Sequence, residues 1–295
     1  MPKIPTEFEE FDLYKGKCRV RFYPNSHRYT VNGKPTSGSV TSIIGIKDKS
    51  GGLLPWAVAL GVNYLRDLII AGKELTEEDF LEAECQHSKK KTEAATTGSF
   101  VHDWIENYIK YSLKHKGFEK VPEMPEQKEA QIGVNAFLDW VSENKVKFLT
   151  TERAVYSKKY DYIGKMDVEA KVNGQLCLLD WKTSNHLSND YYMQTAAYVR
   201  ADEEESGREY EGRWLIRLSK ETEKEYLYRM KKKNDERERK GKERINYPPY
   251  QVFEPLFIDA EESNIDRDFK AFLACKTLKK FEDDTGFYSQ LRAEK

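Results

Sequence analysis

The chain has few cysteines, and they are not clustered. Its four cysteines lie at positions 18, 85, 177 and 275 and form no Cys-x-x-Cys pair. Zinc sites and iron–sulfur clusters use closely spaced thiolates, so the sequence predicts neither. Isolated cysteines are typical of free thiols in a reducing compartment. We therefore expect buried, unpaired cysteines and no iron–sulfur cofactor.

Signals for export and for membrane insertion are also lacking. The acidic amino terminus has no apolar core of the kind that signal peptides carry. We find no apolar run approaching the roughly eighteen residues that span a bilayer. The sequence therefore predicts a soluble, intracellular protein without a membrane partner.

Two common catalytic motifs are missing from the sequence. Without a Gly-rich P-loop, nothing points to ATP hydrolysis. Without a Gly-x-Ser-x-Gly motif, acyl transfer by a serine triad has no support.

The chain has no excess charge of either sign. Its 49 Lys and Arg nearly balance its 50 Asp and Glu, so nucleic-acid binding would have to come from local patches. One such patch lies in residues 229–244, where nine basic residues face four acidic ones. This segment is either an exposed helix or mobile insertion, or a surface that binds phosphates.

The first part of the chain mixes short strands and helices. Residues 18–33 have the pattern of a hairpin, and residues 39–46 fit a short strand or a loop. Helices are predicted over residues 55–70 and again from Thr76, whose next three residues are acidic. We expect residues 1–88 to form an accessory region.

The remainder, residues 89–295, is predicted to be the core of the protein. A helical pattern over residues 89–115 is interrupted by Gly98, and another helix follows Pro125. Strand-like and helical segments then alternate, with strands at 147–157, 160–172, 175–183, 213–218 and 250–258, helices at 190–205 and 259–281, and a charged insertion at about 221–249. This order predicts a central mixed β-sheet flanked by helices, in the α/β (α+β) class.

The strongest local signal is an Asn-Gly pair at residues 173–174. Asp167 and Asp180 are each six residues from this pair, so a two-residue hairpin turn makes them face each other with Cβ atoms roughly 4.5–5.5 Å apart. Two carboxylates at that distance repel unless a cation lies between them. Lys182 shares the face of Asp180, and Trp181 points to the other face.

These residues suit a metal-dependent hydrolytic site. Asp167 and Asp180 offer the oxygen ligands that Mg²⁺ prefers, and the backbone carbonyl of Trp181 could add another. Lys182 can orient or help deprotonate a water and can offset charge on a phosphate. The alternative is a surface hairpin whose aspartates face water and whose lysine pairs with one of them.

Flanking motifs favour the hydrolytic site over the surface hairpin. They are Gly164-Lys-Met-Asp167, Leu179-Asp180-Trp-Lys182-Thr-Ser184, Gln194-x-x-x-Tyr198, Glu152 and Gly98-Ser-Phe-Val-His102. Over residues 98–200 this combination resembles the PD-(D/E)XK nucleases, in particular the RecB-like branch with phage-type exonucleases and the mitochondrial genome maintenance exonuclease. Ser39-Val-Thr-Ser-Ile-Ile, Leu54-Pro-Trp56 and Gly61 resemble the amino-terminal segment of that group. The resemblance implies a restriction-endonuclease-like fold with a helical amino-terminal portion.

The resemblance also implies roles for residues outside the hairpin. His102 matches a metal-binding histidine, although an isolated histidine on a helix is more often packed or solvated; imidazole suits Mn²⁺ better than Mg²⁺. Glu152 matches a glutamate close to the metal or its water, or it is only the solvent face of its strand. Glu106 shares the helix face of His102 and either orients it or is exposed.

Four further residues are candidate DNA contacts. Gln194 and Tyr198, one helical turn apart, match a pair that lines the site and contacts DNA. A helix face packed on the sheet is the alternative for both. Thr183 and Ser184 could donate hydrogen bonds to a phosphate, and a role in a turn explains them nearly as well.

The sequence thus predicts a metal-dependent DNA nuclease that hydrolyses phosphodiester bonds with one or two Mg²⁺ or Mn²⁺ ions. The expected activity is an exonuclease at DNA ends in replication, recombination or repair, with DNA that is single-stranded or has ends, and a single-strand annealing or replication protein as a further partner. Residues 89–91 and 231–233, both lysine triplets, are candidates for the margins of the DNA groove. The alternatives are a structure-specific endonuclease or junction resolvase of the same fold, and a nuclease-like module that binds DNA without cutting.

Overall fold

Two β-sheets and their surrounding helices make up the part of the chain that the computed structural model describes, residues 7–260 and 265–286. In chain order the elements are β1 (Glu9–Leu13), β2 (Cys18–Tyr23), β3 (Arg28–Val31), β4 (Lys34–Pro35), α1 (Val40–Ile44), α2 (Ser50–Ile70), α3 (Glu77–Ser112), α4 (Lys128–Glu143), β5 (Val146–Ser157), β6 (Tyr162–Val172), β7 (Gln175–Lys182), α5 (Asn189–Ser206), β8 (Gly212–Leu218), α6 (Glu223–Arg239), β9 (Phe253–Asp259) and α7 (Ile265–Thr285).

The larger sheet has the strand order β5-β6-β7-β8-β9. Strands β7 and β8 are parallel and the other neighbours are antiparallel. The parallel pair requires a crossover connection, which α5 supplies. Helices α3 and α4 bury their apolar side chains on one face of the sheet, and α1, α5 and α7 do so on the other. The predicted mixed sheet flanked by helices is confirmed.

The turn between β6 and β7 follows from its two residues. Asn173 and Gly174 have φ angles of 53° and 93°, the left-handed pair that a type I′ hairpin turn requires. The strands pair from Val172 opposite Gln175 to Val168 opposite Leu179. This is the predicted register, and Asp167 and Asp180 come directly after its last pair.

The amino-terminal sheet is an antiparallel meander of β1 to β4. It contains the predicted hairpin, and its apolar side chains pack on Tyr156 and Ile163 of the larger sheet. The segment 39–46 is neither a strand nor a loop, so that prediction was wrong. It forms the short helix α1, because the hydroxyl of Ser39 accepts a hydrogen bond from the backbone N–H of Ser42 at 3.2 Å and caps the first turn.

Helix α3 runs without a break where two helices were predicted. It has 36 residues and continues through Gly98. A Cβ atom at Gly98 would lie 3.0 Å from Oγ1 of Thr183, so the glycine lets the helix approach the end of β7 closely. The predicted boundary between residues 88 and 89 falls within this helix.

Helix α2 corrects the expectation that the chain has no long apolar segment. It begins five residues before the predicted start and is long and apolar enough to cross a membrane by length and composition. None of its residues is buried, and it lies along α3. A single helix of this kind is weak evidence for a membrane span, because helices of soluble proteins meet the same criterion.

Gly164 of β6 is required by the packing of α5 on the sheet. A Cβ atom there would overlap with Cε1 of Tyr198, 2.9 Å from its Cδ1 and 3.1 Å from Cγ2 of Val40. Gly164→Ala should therefore lower the free energy of unfolding by about 1–3 kcal/mol or more, the usual cost of overpacking a core. Urea unfolding measures this change.

Gly52→Ala is the matched control for that substitution. A Cβ atom at Gly52 of α2 meets nothing within 4 Å. Since alanine favours a helix over glycine by up to roughly 1 kcal/mol, the control should be neutral or slightly stabilised. Equal unfolding free energies for the two variants would show that Tyr198 does not need the space at Gly164.

Candidate metal-dependent active site

Two acids and a lysine meet where β6 and β7 run past α5. Lys182 Nζ lies 2.6 Å from Oδ2 of Asp180 and 4.9 Å from the ring centre of Tyr191 on α5. The backbone N–H of Trp181 donates to Oδ2 of Asp167 at 3.2 Å. Trp181 itself packs on the opposite face of the sheet, against two aromatic rings of α4. The predicted alternation along β7 is confirmed.

The burial of Asp180 decides between the two interpretations of this hairpin. A surface hairpin would leave both aspartates in water, but Asp180 is 0% exposed. Lys182 lies at ion-pair distance from Oδ2, and Oδ1 has no hydrogen-bond partner among the described residues. A buried carboxylate with an unpartnered oxygen is costly to keep. A carboxylate in such a position is well suited to bind a cation.

The environment of Asp180 favours its neutral form in the metal-free protein. Burial raises the pKa of the Asp180 carboxyl to about 7; the nearby Asp167 raises it further, and Lys182 opposes both. The pKa of Lys182 is also raised, because attraction to the two aspartates outweighs the effect of its burial. Lys182 is therefore a cation at neutral pH.

His102 reaches the same place from α3, one turn after Gly98. Its Nδ1 lies 4.0 Å from Oδ2 of Asp167, and its ring interacts with the backbone of Trp181. Burial lowers the pKa of His102; Asp167 opposes this and Lys182 adds to it. The imidazole is therefore neutral at pH 7, which is the form that binds metal ions.

Glu152 enters the site through an irregularity in β5. It lies between the pairs Thr151–Val168 and Arg153–Met166 and so comes opposite Asp167. Its φ of 53° is left-handed, a strained conformation for this residue type that is common at functional sites. No periodicity in the sequence indicates this strain.

The irregularity changes what the neighbouring side chains contact. Met166 packs in the cluster with α5, whereas Val168 packs with α3 and α4, so the alternation of β6 is broken at Asp167. Burial raises the pKa of Glu152 to about 7, with a further increase from Asp167. Lys165, at 3.1 Å, opposes the shift. Lys165 was not among the predicted site residues, and its only signal in the sequence is its place in the motif Gly164-Lys-Met-Asp167.

Glu106 also belongs to this acidic group. It pairs with Lys110 one turn along α3, and its charge contributes to the raised pKa of Glu152. The structure thus places Glu106 beside Glu152 and supports neither an orienting contact with His102 nor full exposure.

The predicted pair on α5 has a different character from the acids. The Gln194 amide donates to the Tyr198 hydroxyl at 3.0 Å. Tyr198 is 3% exposed and packs on Gly164, so its ring has no free face for a DNA base. This burial disagrees with a direct DNA contact by Tyr198 and fits the alternative of a helix face packed on the sheet. The prediction stands for Gln194, which is only partly buried.

Thr183 and Ser184 follow β7 directly. Thr183 lies against Gly98 of α3. The Ser184 hydroxyl donates to the backbone carbonyl of His186 at 2.7 Å, which supports the turn role. Both residues are half-buried at the edge of the site, and a contact with phosphate stays a prediction.

The candidate metal ligands are close together, but they are not arranged as a complete metal site. Within residues 7–260 and 265–286, no group of three or more His, Cys, Asp or Glu side chains is arranged to hold a metal ion. Lys182 instead pairs with Asp180, and a cation binding there would have to displace it. The donor types, two carboxylates and a neutral imidazole, nevertheless fit Mg²⁺ or Mn²⁺.

Comparison with protein-family models gave no match, and comparison with curated proteins found no similar sequence. The motifs and the geometry around Asp180 therefore carry the functional assignment alone.

The raised pKa values predict a stability that falls with pH. In the folded protein Asp180 keeps its proton up to about pH 7, whereas its ordinary value is 3.8. Below the ordinary value both states are protonated; as the pH rises towards 7 the unfolded state loses its proton first, so stability decreases. A shift of about 3 units corresponds to at most about 4 kcal/mol.

Asp180→Asn should remove much of the decrease in the free energy of unfolding between pH 5 and pH 8. Glu152, whose pKa is also raised, contributes in the same direction, whereas the lowered pKa of His102 has the opposite effect below its ordinary value of 6.5. Urea unfolding in EDTA at both pH values measures this decrease, with Asp139→Asn, an exposed change on α4, as the control. A variant with the full pH dependence of the unmodified protein would contradict the assignment to Asp180.

Proposed function

We propose that the chain is an intracellular, metal-dependent DNA nuclease with a restriction-endonuclease-like core of the PD-(D/E)XK type. It hydrolyses phosphodiester bonds and acts as an exonuclease at DNA ends. The observation that supports this most is the fully buried Asp180, with one unpartnered oxygen, beside Lys182 and Asp167. An ion pair with a purely structural role would need neither Asp167 nor the neutral imidazole of His102, which lies 4.0 Å from Asp167.

In this proposal each residue has a chemical role. Asp167, Asp180, His102 and the carbonyl of Trp181 would hold Mg²⁺ or Mn²⁺. A bound ion of this kind polarises a phosphodiester and stabilises the charge that develops on its oxygens. Lys182, a cation in a buried setting, orients the attacking water and offsets negative charge in the transition state.

Glu152 is the residue best suited to accept a proton. It lies opposite Asp167, and in the metal-free protein its burial raises its pKa to about 7, so it binds a proton more tightly than an ordinary glutamate does. Lys182 is charged at neutral pH and donates hydrogen bonds instead. Glu152 and Lys182 thus divide the handling of the water between a proton acceptor and a positive charge.

One alternative is favoured by a specific observation. The described residues contain no assembled metal group, and Lys182 neutralises Asp180 directly. Both facts fit a nuclease-like module that binds DNA without cutting. An endonuclease or junction resolvase has no comparable support, and a closed-circular substrate separates it from an exonuclease.

Cleavage assays on linear single-stranded, linear duplex and closed-circular DNA test the proposal. With Mg²⁺ or Mn²⁺ the linear substrates should be degraded and the circle spared. Asp180→Asn and Lys182→Gln should each lower the rate at least about 100-fold, since each removes a charge that acts on the transition state. Asp139→Asn should retain full activity. Cleavage that survives Asp180→Asn or needs no metal would contradict the mechanism, and no cleavage of any substrate would favour the non-cutting module.

His102→Ala tests the metal site separately from the chemistry. Loss of a nitrogen ligand should weaken Mn²⁺ binding at least about tenfold, as changes at metal sites commonly do, and should affect Mg²⁺ less. The increase in melting temperature with added metal measures this without any cleavage. His87→Ala, an exposed change on the same helix, is the control. An unchanged response to Mn²⁺ would remove His102 from the site.

A further inference from the structure

A cleft of about 550 Å³ opens beside the candidate active site. Its walls come from the loop after β7, the end of β8 and the residues that follow it, helix α6 and residues 247–251, with Lys90 of α3 and Glu254 of β9 at its margin. A larger cleft of about 1070 Å³ lies elsewhere, between the α1–α2 segment and α7.

The cleft is continuous with the active site through two strands. Ser184 lies two residues after Lys182, and Arg217 of β8 is the register partner of Lys182 in the parallel pair. The cleft therefore lies outside the carboxyl ends of adjacent parallel strands. This is the usual position of ligands in open α/β sheets.

Positive charge in the cleft is only partly neutralised. Arg217 pairs with Glu254 at 2.7 Å, and Arg229 pairs with Glu221. Lys220 and Lys233 have no carboxylate within ion-pair distance in the part of the chain that the structure describes. An anion between these amines would find two unpaired positive charges.

Nearby positive charges also act on Lys220 and Lys233. Burial lowers the pKa of Lys220, and the charge of Lys90 on α3 lowers it further. Burial and the charge of Arg229 lower the pKa of Lys233 in the same way, while the charge of Glu221 opposes the shift of both lysines. Lys90 and Lys233 come from the two lysine triplets that were predicted to border a DNA groove, and the fold brings both to this cleft. Lys231 and Lys232 line a different cleft, towards α2.

Three half-buried tyrosines complete the lining. The rings of Tyr226 and Tyr250 are 5.8 Å apart. Their hydroxyls donate to backbone carbonyls at 2.6 and 2.7 Å, which holds the rings in place. Lys233 Nζ lies 5.9 Å from the ring centre of Tyr247. Aromatic rings interleaved with cations are how proteins bind unpaired nucleotides.

We propose that this cleft binds a single strand of DNA, with phosphates at Lys220 and Lys233 and an unpaired base against Tyr247. The volume lies in the range of about 300–1,000 Å³ that encloses a small-molecule-sized ligand, which suits a nucleotide of a single strand. The choice of DNA rests on the proposed nuclease function. The cleft would hold the strand that enters or leaves the active site.

The test measures binding of a fluorescein-labelled oligothymidine by anisotropy in EDTA, where no metal-dependent cleavage occurs. The Lys220→Gln/Lys233→Gln variant should bind at least about tenfold more weakly near 0.1 M salt. The slope of log affinity against log salt should fall by about 1.4, since each phosphate contact on a single strand contributes roughly 0.7. Lys231→Gln/Lys232→Gln removes the same amount of charge, from residues of α6 next to Lys233 that line a different cleft, and should bind like the unmodified protein. Equal weakening in both variants would overturn the proposal.

Lys220 is partly buried, so its substitution in the double variant could disturb folding. Two single variants that leave Lys220 in place, Lys233→Gln and Tyr247→Ala, control for such a defect. With unchanged melting temperatures, each should still weaken binding, Tyr247→Ala by roughly fivefold or more, as expected for one lost base stack. Cross-linking of a 5-iododeoxyuridine strand should map to Tyr226, Tyr247 or Tyr250. Cross-links confined to other surfaces, or tighter binding of a blunt duplex, would overturn the proposal.

Failure of the cleft and failure of the nuclease give different results. If the cleft variants bind normally while Asp180→Asn abolishes cleavage, the cleft proposal is wrong and the nuclease stands. If the cleft variants bind weakly but the unmodified protein cuts nothing with metal, the cleft stands as a binding site of a non-cutting module.

Discussion

The burial of the Asp180 carboxylate beside Lys182 is the interaction on which the rest of the structure depends. An acid that is 0% exposed in the middle of a sheet loses hydration that one lysine at 2.6 Å restores only in part. The core has to compensate for this loss. It does so on the next residue of the same strand, where Trp181 packs against Phe137 and Trp140 at ring distances of 4.9 and 5.3 Å. In strand β7 the aromatic packing of Trp181 thus stabilises the fold directly beside Asp180, whose burial destabilises it. Retention of a destabilising acid at this position is consistent with a functional role.

Close approach of backbones brings the other groups to Asp180. Gly98 lets α3 approach the end of β7, so that His102 one turn later reaches Asp167. Gly164 lets the Tyr198 ring lie on β6, which brings α5 against the same hairpin. Glu152 is placed by backbone strain instead, since its left-handed φ turns it out of the regular strand. Two glycines that leave room for neighbouring elements and one strained residue thus assemble the site. All three belong to the predicted motifs, but the packing at the glycines and the strain at Glu152 depend on the tertiary structure.

These details explain which features the sequence could predict. The turn at Asn173 and Gly174 is a local property of two residues, and the alternation along β7 follows from strand geometry, so both were predicted correctly. The interruption expected at Gly98 was wrong, because the glycine serves a tertiary contact with Thr183 that no local pattern reports. The burial of Tyr198 has the same origin, since the space it fills belongs to a distant strand. The apolar character of helix α2 was underestimated because Arg66 and Asp67 interrupt the apolar run near the end of the helix. The mean hydropathy of the helix stays high despite these two charges.

The distribution of charge connects the active site with the cleft. The whole chain carries a formal charge of only −1, so no long-range field draws a polyanion to it. Attraction must be local, and within the described residues Lys220 and Lys233 are cations left without carboxylate partners beside the carboxyl ends of β7 and β8. Arg217, next to Lys182 in the sheet, is neutralised by Glu254. In the proposed complex, a strand held at these two lysines would pass the neutralised Arg217 before it reaches the charged Lys182. Such an order would draw the strand towards the proposed metal site.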